Sequence, residues 1–140
     1  MSKANGSYEL VVLVVEDEFL IRDSIVDYLR HAGCLVLEAQ SGEQALAMLR
    51  ADRPIDVVFT DIRLSGPLSG WDIGEACRAK WPDVAVIYTS GHAIQPARNV
   101  AGSLFFDKPY RPEQVLEACQ SLCNAAHQFR PSDSTRGIGG

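Results

Sequence analysis

The sequence predicts a doubly wound α/β fold with five parallel strands. Three observations lead there. Leu10–Val15, Val57–Phe59 and Val84–Thr89 are short apolar runs rich in β-branched residues, the pattern of strands covered on both faces. Segments with apolar residues three and four apart follow the strands, so strand and helix alternate along the chain. Acids, hydroxyls and a lysine stand just after the runs, where an open sheet of this kind presents its binding edge.

Residues 1–8 form a polar leader, expected to be flexible. Leu10–Val15 is the first strand, and Glu16, Asp17 and Glu18 follow at once. The next helix runs to about His31. It puts Ile21, Ile25 and Leu29 on its buried stripe, with Arg22, Asp23 and Arg30 turned away. Gly33 ends it in the C′ position. Cys34–Glu38 reads as the second strand. Ser41 caps the second helix and Gln44 completes a capping box. That helix turns Ala45, Met48 and Leu49 inward and ends before Pro54.

Asp56–Thr60 is the third strand, with Asp61 at its end, and Ile62–Ser69 is a Gly/Pro/Ser-rich loop. Gly70–Lys80 is a helix with Ile73, Ala76 and Cys77 inward, closed by Trp81 and Pro82. Val84–Thr89 is the fourth strand and leads to Ser90, Gly91 and His92. Ala93–Ala101 has a weak helical pattern broken by Pro96, so the helix between the fourth and fifth strands is expected to be short or irregular. Ser103–Phe106 is the fifth strand and runs into Asp107, Lys108 and Pro109. Pro112 opens the last helix, Glu113 suits its positive end, and Val115, Cys119, Leu122 and Ala126 form its stripe. Residues 9–126 make one domain, and 127–140 are expected to be a disordered tail. Right-handed crossovers give the flavodoxin-like strand order 2-1-3-4-5.

A chain of 140 residues suits one domain and can bury roughly two-thirds of its surface. Against 13 Lys and Arg stand 18 Asp and Glu, a net charge of −5. That balance disfavours nucleic acid or an anionic membrane as the main partner. No apolar run approaches bilayer length, and Met1–Ser7 lacks the apolar stretch of a signal peptide. Cys34, Cys77, Cys119 and Cys123 lie in apolar segments without CxxC pairing. They read as reduced core residues of a cytoplasmic protein. Cys119 and Cys123, one helical turn apart, lack the other two ligands of a zinc site.

In the expected order the first and third strands are neighbours, so Glu16, Asp17 and Asp61 end side by side. Two unit charges ~4 Å apart cost about 4 kcal/mol at an effective dielectric near 20. Such a cluster must protonate, open to water or bind a cation. Mg²⁺ accepts carboxylates together with several waters. Asp61 alone is equally compatible with opening a turn, and Asp17 or Glu18 with capping the first helix. Capping does not account for an acid facing them from another strand. Thr89 and Ser90 bring hydroxyls to the same edge and Lys108 brings an ammonium. A carboxylate, a hydroxyl, an ammonium and a cation together can handle a phosphoryl group, with Asp61 as the nucleophilic oxygen of an acyl phosphate.

Val14-Val15-Glu16-Asp17, Phe59-Thr60-Asp61, Ser90-Gly91 and Asp107-Lys108-Pro109, in that order, resemble the receiver domain of bacterial two-component response regulators. The likeness runs from about Leu10 to Ala126. It implies that Asp61 is the phosphoacceptor, charged by a sensor histidine kinase or a histidine phosphotransfer protein. It implies Mg²⁺, or Mn²⁺, on Asp17, Asp61 and the backbone carbonyl of Arg63. Glu16, where most members have aspartate, would bind the ion directly or through water. Ser90 resembles the hydroxyl that moves to the phosphoryl group, Lys108 the lysine that contacts it, and Pro109 the family's cis proline. Phe105 stands at the switch aromatic and is equally an ordinary core phenylalanine. Thr89 competes with Ser90, but the following Gly91 favours Ser90. Arg63 and His92 stand where family members control the hydrolytic water, so they are expected to set the phosphoryl lifetime.

Three departures stand out. The loop from Asp61 to Gly70 is one residue longer than usual, with its proline late, at Pro67. The stretch from Ser90 to Lys108 is several residues short, which puts the family's usual output face in doubt. The third is the choice between Thr89 and Ser90. The resulting expectation is a single-domain regulator, monomer or weak dimer, that is not a turnover enzyme. It would switch binding to a downstream protein target or pass the phosphoryl group on. The rivals are a receiver-like binding module that is never phosphorylated and an aspartyl-nucleophile phosphohydrolase. The second usually wants an acid two residues after the nucleophile, where Arg63 stands.

Overall fold

The computed structural model describes residues 9–51, 53–91 and 98–128. Their order is β1 (Val11–Val15), α1 (Phe19–His31), β2 (Leu35–Ala39), α2 (Gly42–Arg50), β3 (Val57–Asp61), α3 (Gly70–Lys80), β4 (Ala85–Ser90), β5 (Leu104–Asp107) and α4 (Pro112–Gln128). The five strands are parallel in the order β2-β1-β3-β4-β5, as the alternation predicts. Among the described residues no helix is long and apolar enough to cross a membrane.

Period-two alternation along each strand divides the core between the two faces. Val12, Val14, Phe59 and Ile87 pack with Ile25, Val26 and Leu29 of α1 and Val115 and Cys119 of α4. Leu13, Val15, Val58, Val86 and Tyr88 pack with Ala45 and Leu49 of α2 and Ile73 and Cys77 of α3. Because both faces are covered, β1 and β3 need apolar residues at nearly every position, which is why they read as continuous runs. Each fully buried aliphatic side chain contributes about 1.5–3 kcal/mol.

The element ends carry the chemistry expected of them, with shifts of about one residue. Gly33, at φ 99°, ends α1. Its N–H bonds Arg30 O and the Cys34 N–H bonds Leu29 O, a Schellman arrangement. Cys34 therefore belongs to the helix end, and β2 starts at Leu35 rather than Cys34. Ser41 caps α2 by accepting from the Gln44 N–H, but Gln44 returns its bond to Gln40 rather than to the cap. A complete capping box, not anticipated, joins Ser69 and Asp72 at the start of α3.

Two expectations need correction. Arg22 is not turned away from the core. It is buried on the stripe of Ile25, Val26 and Leu29, whereas Ile21, expected on the buried stripe, is only half-buried. Its guanidinium bonds the Glu16 carbonyl and Glu38, so the charge is satisfied where it is buried. On α4 it is Cys123, with Ala118, that completes the buried stripe, while Leu122 is half-buried.

The expectation of a short or irregular helix between β4 and β5 falls mostly on residues 92–97, outside the described residues. Residues 98–103 are not helical. Arg98 pairs with Asp72 and Glu75, Arg78 Nη1 donates to Ala101 O at 2.6 Å, and the Val100 N–H donates to the Tyr88 hydroxyl at 3.3 Å. Residues 98–103 are thus fastened to α3 and to Tyr88 of β4. His92, Ala93 and Pro96 lie outside the described residues, as do the leader 1–8 and residues 129–140. The last helix runs to Gln128, two residues past Ala126.

Candidate functional site

The strand register brings the expected residues to one rim. Val15 pairs with Thr60, Asp61 with Thr89, and Ser90 with Asp107. Glu16 and Asp17 therefore leave β1 beside Asp61, and Lys108 leaves β5 at the same level. The peptide of Glu16 is fixed on both sides. Its N–H donates to Ala39 O at 3.0 Å and its carbonyl accepts from Arg22 Nη1 at 2.9 Å.

Glu16 and Asp61 are almost fully buried, at 3% and 6% exposure. Lys108 Nζ lies between them, 2.7 Å from Glu16 Oε1 and 3.0 Å from Asp61 Oδ2. Glu16 Oε2 accepts the Glu18 N–H at 3.0 Å. Asp17 is held from the other side, where its Oδ2 accepts the N–H of Ser65 at 3.0 Å and the Ser65 hydroxyl at 2.7 Å. Oxygens of Glu16, Asp17 and Asp61 all fall within 4.8 Å of one another.

One ammonium for three carboxylates sets the electrostatics. Burial pushes the Glu16 and Asp61 carboxyls above the usual carboxylate range, and the bonds from Lys108 offset this only in part. Burial would lower Lys108, but hydrogen bonds to Glu16 and Asp61 outweigh it and hold the ammonium above the usual lysine range. Burial would raise Asp17 as well. The two bonds from Ser65, with smaller contributions from its own N–H and from Glu16, overcome that and leave it below the usual range. The rim thus keeps an excess of negative charge around a small volume lined by oxygen atoms. That donor set suits a hard divalent cation, which takes carboxylates and water together.

The remaining candidates fall as follows. Thr89 is buried and its hydroxyl donates to Phe106 O at 2.8 Å, an engagement with β5. Ser90 is buried at the strand end, and its carbonyl accepts the Lys108 N–H at 2.9 Å. The Lys108–Pro109 peptide is cis, as expected. Phe105 is half-buried against the α2–α3 core. Arg63 is exposed, with a backbone hydrogen bond to Asp61. His92 is not among the described residues.

Two contributors were missed from sequence. Arg22 could have been found, because it lies one turn ahead of Val26 on the buried stripe. Ser65 could not, because its reach to Asp17 spans 48 positions and depends on the path of the loop. Gly70 has a visible reason once the fold is known: a Cβ there would overlap the Asp61 carbonyl, so only glycine lets α3 start against the acid.

Beside the rim opens an apolar groove of ≈ 510 Å³ lined by Leu20, Ile21 and Ile25 of α1 and by Lys108, Pro109 and Tyr110. Leu20, which lines it, is exposed.

Comparison with known proteins agrees with this geometry. Residues 12–120 match the response regulator receiver domain family. A probable transcriptional regulatory protein of Picosynechococcus is 30% identical over 137 residues, covering 89% of this chain and 54% of that protein. A putative NtrX-like response regulator of Rickettsia felis is 29% identical over 145 residues, covering 94% of this chain and 30% of that protein. The chain thus spans about half or less of these relatives. Against solved receivers the coverage is nearly complete. A response regulator receiver protein from Sinorhizobium medicae superposes with TM-score 0.81 at 32% identity, covering 84% of this chain and 97% of that one. The receiver domain of the hybrid histidine kinase CckA gives TM-score 0.70 at 27% identity, covering 81% and 98%. With the strand order and the acid rim in agreement, the chain belongs to the response regulator receiver domain family of two-component systems.

Proposed function

We propose that this receiver is a phosphoacceptor and that Asp61 carries the phosphoryl group. The observation behind this is the bridge of Lys108 between Glu16 and Asp61, with Asp17 close enough to share a cation with both. Glu16, Asp17, Asp61 and the backbone carbonyl of Arg63 would hold Mg²⁺ or Mn²⁺. The bound ion supplies charge neutralisation for the transferring phosphoryl oxygens. An Asp61 carboxylate oxygen attacks phosphorus, the bond to the donor histidine nitrogen breaks, and an acyl phosphate remains on Asp61. Lys108 turns its ammonium to a phosphoryl oxygen, and the Ser90 hydroxyl donates to another.

The donor in this reading is a sensor histidine kinase or a histidine phosphotransfer protein, in the cytoplasm. The groove between α1 and Tyr110 ends at Lys108, so a docked partner would deliver its histidine to the rim. Phosphorylation then biases a two-state equilibrium around Ser90 and Phe105. The output is contact with a protein target or onward transfer of the phosphoryl group. The relatives named as transcriptional regulators extend well beyond the matched region, so the match does not carry that role to this chain. Turnover of free phosphate esters is not part of the reading. The position two after Asp61 is Arg63, not an acid that could protonate a leaving group.

Phosphotransfer profiling against the histidine kinases of the source organism tests this, with Asp61→Asn as control. The expected result is rapid transfer from one or a few kinases to the wild-type chain and none to the variant. Transfer to neither, or equally to both, rules the reading out. Decay of the phosphoryl group in Arg63→Ala and His92→Ala tests whether those residues set its lifetime.

A further inference from the structure

Lys108 secures Glu16 and Asp61, whereas Asp17 is secured by the loop. Both donors of Ser65 end on one oxygen of Asp17, the N–H at 3.0 Å and the hydroxyl at 2.7 Å. The two bonds fix the orientation of the Asp17 carboxylate from its Oδ2 side, and a carboxylate has acceptor capacity beyond two bonds. The loop that carries Ser65 is itself fixed. Its first residue donates Ile62 N–H to Thr89 O at 2.9 Å, and its last, Ser69, caps α3 through the box with Asp72. Gly66, at φ 91°, makes the turn just after Ser65, and Leu68 packs tightly on Gly42 of α2. Ser65 thus comes from a braced segment.

We propose that Ser65 is a positioning residue for metal capture. It locks the Asp17 carboxylate in one orientation before the ion arrives, and so couples the conformation of the loop to the affinity of the rim for Mg²⁺. The proposal rests on the phosphoacceptor reading of the rim and deepens it. A carboxylate free to rotate must be ordered when the ion binds; one already held by two hydrogen bonds need not be. The N–H matters as much as the hydroxyl, so a residue lacking it cannot do the same work at this position.

The test is the affinity for Mg²⁺ by titration calorimetry, and for Mn²⁺ by electron paramagnetic resonance, in the wild type and three variants. Ser65→Ala removes the hydroxyl, Ser65→Pro removes both donors, and Ser65→Thr retains both. Loss of a hydrogen bond to a ligating side chain typically weakens metal binding about 10–100-fold. The expected result is a loss of about tenfold in Ser65→Ala, a larger loss in Ser65→Pro, and near wild-type affinity in Ser65→Thr. Phosphorylation by acetyl phosphate should need more Mg²⁺ in Ser65→Ala but reach the wild-type rate at saturation. The melting temperature of the metal-free protein identifies a variant that merely misfolds. Unchanged or tighter metal binding in folded Ser65→Ala overturns the proposal while leaving the phosphoacceptor reading intact. A wild-type chain that binds neither ion overturns both.

Discussion

Arg22 Nη1 donates to the backbone carbonyl oxygen of Glu16 across 2.9 Å. The bond joins the first turns of α1 to the peptide that carries the most buried acid of the rim. The same guanidinium bonds Glu38 on β2 through Nε at 3.3 Å, and the Phe19 ring covers it with its centroid 5.6 Å from Cζ. Arg22→Ala removes a buried donor and leaves the carbonyl without its partner. It is predicted to cost about 1–3 kcal/mol of stability, read from urea unfolding. Arg22→Lys should recover only part, because one ammonium cannot reproduce the two-sided fork. A loss below a few tenths of a kcal/mol would mean that the bond is incidental.

Gly74 and Tyr88 make a second, independent prediction. A Cβ on Gly74 would overlap the Tyr88 hydroxyl, and Tyr88 is fully buried against Trp71. Gly74→Ala is predicted to destabilise by about 1–3 kcal/mol through overpacking. Tyr88→Phe in the same chain should relieve part of that loss, so the two changes should be non-additive in thermal unfolding. Strict additivity would contradict this packing.

Asp61 gives a prediction in pH. Burial holds its carboxyl above the usual range in the folded chain. Ionisation therefore costs the folded state more than the unfolded state. The associated stability is present at low pH and is lost as pH rises through the raised value. Asp61→Asn cannot ionise. The metal-free variant is therefore predicted to be more stable than the wild type at pH 7, and the difference should vanish near ~pH 3, where Asp61 is protonated in both states. Glu16 still holds Lys108 in the variant. Urea midpoints at the two pH values decide, and a variant less stable at pH 7 contradicts the account.

Arg98 tests the fastening of the stretch before β5. It is exposed and bonds Asp72 and Glu75. Exposed pairs of this kind add little to global stability. Arg98→Ala is predicted to leave the melting temperature nearly unchanged while speeding amide exchange at Val100 and Ser103. Unchanged exchange there would show that the Tyr88 and Arg78 contacts hold the stretch alone.

These predictions also mark what the sequence made legible. Strand order and the acid rim could be read because each apolar run stops at a residue with no reason to be apolar. Glu16, Asp61, Ser90 and Lys108 stand at such stops, and the parallel register then aligns them. Arg22 was misread because a charged residue on an amphipathic helix is assigned to water by default. Only the fold supplies the carbonyl and the carboxylate that let it turn inward. Ser65 and Arg98 were illegible for another reason. Their partners lie 48 and 23–26 positions away, across loops whose path no periodicity specifies.

The most direct measurement is the intact mass of the protein after incubation with acetyl phosphate and Mg²⁺. The account predicts one added phosphoryl group on the wild type. It predicts none on Asp61→Asn and none when the divalent ion is chelated. An unmodified wild type, or the same gain of mass in Asp61→Asn, would contradict it.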